Sequence, residues 1–148
     1  IILDYAHIMA VTIWMGGGIY FLRIVQPTLA TLPPNQAGPI TGAILKKFTP
    51  IAWGLIIVVG ASGLARAFTA RVLDTTILMN TTYGNLILLK IALFAVMVAV
   101  GIIMTKTSAS MPTLPPQEIP KTQARLKMLA ETNVGLGMLT ILIGVALA

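Results

Sequence analysis

Apolar residues gather in four long runs along this chain, each roughly the 20 residues that an α-helix needs to cross a bilayer. The runs predict helices over about Leu3–Val25, Phe48–Phe68, Tyr83–Thr105 and Ala124–Ala148. A short polar loop, Arg71 to Thr82, joins the second run to the third. Two proline-rich segments, residues 26–47 and 106–123, join the others. The first, with Pro27, Pro33, Pro34 and Pro39, cannot be helical throughout; the second carries Pro112, Pro115, Pro116 and Pro120. Pro50 falls in the first turn of the second helix, where a missing N–H does no harm. The expected fold is all-α: a polytopic four-helix transmembrane bundle, one domain over residues 1–148, with both termini outside.

Composition agrees with lipid as the solvent. The chain is 57% hydrophobic and 9% charged, with a mean hydropathy of +0.92, whereas a soluble domain carries charge on about a quarter of its residues. No polar stretch is long enough to form a separate soluble domain. The net charge of +6 does not point to nucleic acid, because the basic residues sit beside apolar runs, where they meet anionic headgroups. Arg23, Lys46, Lys47, Lys106, Lys121, Arg125 and Lys127 fall on one side of the membrane, and Arg66 and Arg71 on the other with Asp4 and Asp74. The positive-inside rule therefore places both proline-rich segments in the cytoplasm of a multi-pass cell-membrane protein. The first helix lacks a basic leading region and has Asp4 at its start and Arg23 at its end, so it reads as a retained span rather than a secretory signal. With no cysteine, disulfides, iron–sulfur clusters and thiolate metal sites are excluded.

Few residues remain to carry chemistry. His7 is the only histidine. It shares a helical stripe with Val11, Trp14, Gly18, Phe21 and Val25, which marks that face as turned toward the other helices. Two readings are open for it: a polar residue near the outer interface bonded to a neighbour such as Asp4, or a ligand to copper or haem. One histidine cannot supply two imidazoles to one haem. Lys90 lies roughly 10 Å along the third helix from Tyr83, at a depth where an ammonium costs about 2.5–3.5 kcal/mol. It either snorkels to the headgroups or faces inward on the stripe of Tyr83, Leu86, Met97, Gly101 and Met104, lining one outward-facing cavity with His7. Glu131 reads as an ion-pair partner of Lys47 or Arg23, with Lys127 one turn before it. The eight methionines are ordinary apolar fillers or soft ligands for Cu(I); Met79, in the outer loop, is the one singled out. Trp53, Gly60 and Gly63 give the second helix a small-residue surface for close contact. There is no nucleophile–base pair, phosphate loop or carboxylate pair at common depth, so the chain reads as non-catalytic.

Several stretches carry a resemblance. TTYGNLILLKIALFAVMVAVG at Thr81–Gly101 resembles the lysine-bearing helix of the copper-resistance protein D (CopD) membrane domain. HIMAVTIWMGG at His7–Gly17 is similar to that family's first helix, with a histidine ahead of a W-x-G-G turn. KKFTPIAWGLIIVVGASGL at Lys46–Leu64 and RLKMLAETNVGLGMLTILIGVAL at Arg125–Leu147 resemble its second and last helices. Position by position, the resemblance marks His7, Trp14, Gly16, Gly17, Tyr83, Gly84, Lys90 and Glu131. It implies a four-helix inner-membrane unit associated with copper uptake or tolerance. Four-helix proteins of the HemJ type, more distantly similar, bind haem through a first-helix histidine; the second histidine region of that type is missing here.

The reading that follows is a copper-handling membrane protein, with copper met by His7 together with Asp4 or Met79. Two alternatives stand beside it. One is an accessory subunit lying against other membrane subunits or copies of itself, and the other is a redox protein holding haem b on His7.

Overall fold

The computed structural model describes residues 1–70 and 74–147, and it is helical with no strand among the described residues. Arg71, expected in the outer loop, and Ala148, expected to close the last helix, lie outside the described residues. Four helices are long and apolar enough to cross a membrane. They are α1 (Ile2–Leu29), α2 (Pro34–Thr69), α4 (Thr82–Ser110) and α5 (Ile119–Ala146), with a short α3 (Thr75–Asn80) between the second and third. α1 packs along α2 and α4 along α5, and the two hairpins meet through α2 with α4 and α1 with α5. The chain is therefore an up-and-down bundle, with both termini and α3 at one end and the two connections rich in proline at the other.

The helices run further into those proline-rich segments than the sequence suggested. α1 continues past Val25 to Leu29 after a widened turn at Phe21–Val25, in which the Gln26 N–H donates to the Phe21 carbonyl. Pro27 sits directly after this widened turn, at the start of the last segment, Gln26–Leu29. α2 begins at Pro34 rather than Phe48, so Pro39 and Pro50 both lie inside it. Each frees the carbonyl four residues back, on Asn35 and Lys46, and all four residues are exposed, so water can take up the lost bonds at this end of the bundle. What favours a helix here is a buried face at helical spacing: Ala37, Gly38, Thr41, Gly42 and Leu45. Gly38 makes room for Ile119 and Gly42 for Pro112. α4 likewise continues to Ser110 and a single 3-10 turn, Met111–Thr113, and α5 starts at Ile119 with Pro120 in its first turn.

The densest packing lies at this same end, where Phe21, Leu45, Met111, Ile119, Leu126 and Ala130 form one buried cluster. Met111 is 0% exposed and Leu126 1%. Elsewhere large apolar side chains such as Ile57, Leu64 and Leu142 point outward, as they must where the surroundings are acyl chains. Leu126→Ala should cost about 2–5 kcal/mol of stability by leaving a cavity, read as a lowered Tm in detergent. Leu142→Ala, at a residue 65% exposed, should leave Tm unchanged; equal losses at the two positions would contradict this core.

Candidate functional site

At the end holding the termini, α1 and α2 approach closely because α2 offers small residues there. Gly63 lies 3.6 Å from the His7 ring carbon Cε1, measured from where a side chain would begin. His7 Nδ1 is 2.8 Å from Ser62 Oγ, and Ser62 is buried. The Ser62 hydroxyl is itself 2.5 Å from the Val58 carbonyl and 3.2 Å from that of Val59. A hydroxyl has one proton, and here it goes to the backbone, so Ser62 Oγ must accept from His7. In the tautomer with the proton on Nδ1, the lone pair lies on Nε2, the arrangement in which a histidine can take a metal.

Asp4, one turn before His7, does not bond to it as expected from the sequence. Its Oδ1 accepts instead from Arg66 Nε of α2 at 2.9 Å, because both helices bring these residues to the same level. Lys90 is half-buried, with its Nζ 3.3 Å from where a side chain on Gly144 of α5 would begin. The absent Gly144 side chain leaves room for the ammonium, and both Lys90 and Arg66 lie within electrostatic reach of the imidazole. Met79 is 71% exposed on α3, which packs against α4. Among the described residues no group of three or more His, Cys, Asp or Glu could hold a metal ion.

The remaining sequence-marked residues are placed by packing. Trp14 meets Phe94 of α4 edge to face, with ring centres 6.5 Å apart. Gly17 admits the Phe48 ring of α2, 2.9 Å from where its side chain would begin, whereas Gly16 faces open space. Thr81 caps α4 by accepting the Gly84 N–H at 3.0 Å. A side chain on Gly84 would sit 2.5 Å from Leu78 Cα of α3, so Thr81 and Gly84 serve the tight α3–α4 turn; Tyr83 itself is exposed. Glu131 takes Lys127, 3.9 Å away on its own helix, rather than the expected Lys47 or Arg23, and the pair is exposed. Glu131 points outward because Ala130, next to it, occupies the buried face.

Ser62 is the partner that sequence reading missed. The signal lies in the stretch Gly60–Gly63, where a hydroxyl sits between two glycines on the small-residue surface. Deeper in the bundle a cavity of about 100 Å³ lies between Trp14, Met15, Gly18, Met97, Gly101 and Asn133, and neither His7 nor Lys90 lines it.

These features define a multi-pass helical membrane protein with one inward-turned imidazole. Copper resistance protein D matches over residues 42–147, more than half of the chain, and the chain belongs to that family. The matched residues begin within α2, so His7, Trp14, Gly16 and Gly17 of α1 rest on their own geometry. No curated protein and no solved structure matches the chain.

Ser62→Ala removes the acceptor that fixes the ring. The single histidine should then lose its one ¹⁵N tautomer signature, Nδ1 protonated in the parent protein, and show a mixture. A parent ring protonated at Nε2 would contradict the assignment.

Proposed function

We propose that this protein handles copper as cargo in the cell membrane, binding and passing it rather than catalysing a reaction. The reading places the end with the termini outside and both proline-rich connections in the cytoplasm, with the basic residues that flank them held at anionic headgroups. Copper reaches the bundle at His7. Support comes from one observation above the others: Ser62 Oγ is placed to accept a hydrogen bond from Nδ1–H, so the imidazole keeps a lone pair on Nε2, and imidazole suits copper. Membership of the copper resistance protein D family points to the same metal.

Asp4 and Met79 are the other donors at this end. Asp4 is already paired with Arg66, so recruiting it requires the arginine to swing away, whereas Met79 is exposed on α3 with its sulfur unencumbered by packing. Lys90 adds positive charge near the ring, which weakens retention of a cation and favours its release.

Metal analysis of protein purified from copper-supplemented cells tests the reading, with an absorption spectrum taken on the same sample. Copper should accompany the parent protein and be lost in His7→Ala, and the spectrum should lack a Soret band. No copper in the parent, or equal copper in the variant, would overturn the reading and leave a scaffold within a larger membrane assembly. A Soret band that disappears in His7→Ala would overturn it in favour of haem.

A further inference from the structure

Thioether side chains gather near the middle of the bundle, where most membrane helices carry only hydrocarbon. Met15 of α1 and Met97 of α4 are both buried. Their positions converge on Gly137 of α5: the Met15 sulfur and the Met97 methyl both lie within 3.1 Å of the point where a Gly137 side chain would begin. Each comes from a different helix, and together they span both hairpins. Any larger residue at 137 would occupy the place where they meet.

A polar atom is set into the same region. Asn133, one turn before Gly137, lines the cavity with Met15 and Met97. Its Oδ1 is buried and finds no hydrogen-bond donor among the described residues, while its Nδ2 reaches the Met97 carbonyl at 3.4 Å. A buried carbonyl oxygen left without a partner costs free energy unless something occupies it. The Met97 sulfur has one polar contact, the Thr140 hydroxyl at 3.9 Å, which is shared with the Leu136 carbonyl at 2.8 Å and leaves a sulfur lone pair available.

We infer that Met15 Sδ, Met97 Sδ and Asn133 Oδ1 form a second binding site, at half depth in the bundle, for a soft monovalent cation: Cu(I). Two thioethers and an amide oxygen are neutral donors, and thioether sulfur prefers Cu(I) to harder ions. With no carboxylate in the set, a divalent ion would carry twice the uncompensated charge into the membrane interior, so the site discriminates by charge as well as softness. Met15 lies two turns along α1 from His7, about 12 Å further into the bundle. Met104 and Met111 follow Met97 at seven-residue intervals on α4, toward the proline-rich end. The site thus stands between the imidazole and the opposite surface, as a midway stop for an ion that must bind weakly enough to leave. The choice of copper rests on the function proposed above; the site itself rests on the three side chains.

The test uses the full chain in detergent micelles, labelled with ¹³C at the methionine methyls and titrated with Ag(I), a redox-inert soft monovalent probe. The methyls of Met15 and Met97 should shift before the other six. Those shifts should survive His7→Ala, and each near volume-conserving single variant should silence the remaining partner: the Met97 methyl should no longer shift early in Met15→Leu, nor the Met15 methyl in Met97→Leu. Gly137→Ala, with its helical circular dichroism intact, should also abolish them. Shifts confined to exposed methionines such as Met79, or a partner methyl that shifts unchanged in either single variant, would overturn the site. Copper in the purified protein that depends on His7 alone, together with unshifted Met15 and Met97 methyls, would remove the inner site while leaving the proposed function standing. Shifts at Met15 and Met97 in a protein that carries no copper would remove that function and leave a soft-metal site.

Discussion

Inside a bilayer, hiding an apolar side chain from lipid gains almost nothing, so helices associate only where they approach closely enough for dispersion and hydrogen bonds to count. Small residues set that approach here. Gly17 receives the Phe48 ring, Gly18 receives Val134, Gly60 receives Phe94 and Gly63 receives His7. Removing any of these notches would push a neighbouring helix outward, and the polar contacts between helices would lengthen with it. The bundle is held as a ring of notches, tightest at the end where Met111 and Leu126 are sealed.

Those notches decide what the polar residues can do. His7 turns inward because Gly63 leaves space beside its ring and Ser62 supplies an acceptor at the right height. Lys90 fits between helices because Gly144 has no side chain to exclude it. Trp53 donates its indole N–H to Thr105 at 3.1 Å, a bond across α2 and α4 that ties the hairpins together at the level of the cavity. At His7 and Lys90, polarity is admitted where a glycine opens room for it.

Much of this was legible from the residues alone. The four spans, the inward stripe from His7 through Trp14 to Phe21 and the small-residue surface of the second helix follow from apolar runs and helical spacing. What misled was proline. A proline removes one donor and frees one carbonyl, which ends a helix only if that carbonyl has no other partner; at Pro39 and Pro50 exposure supplies one. The compensating pattern, small residues at Gly38 and Gly42 with Thr41 and Leu45 beside them, was present in the sequence and outweighs the prolines. At the candidate site, the bond from His7 to Ser62 was not legible, since it joins residues 55 positions apart and depends on the rotation of two helices. The pairing of Asp4 with Arg66 was hidden for the same reason, although both were known to lie at one end.

The site at the start of α1 exists only if its imidazole faces α2 rather than the acyl chains. Because the chain contains no cysteine, paired cysteines can report that orientation without background. Oxidising native membranes that carry His7→Cys with Ser62→Cys should form the cross-link readily, while Ile8→Cys with Ser62→Cys, whose first position points outward, should remain reduced. Cross-linking at 8/62 but not at 7/62 would show that α1 presents the opposite face, and the site described at its start would not exist.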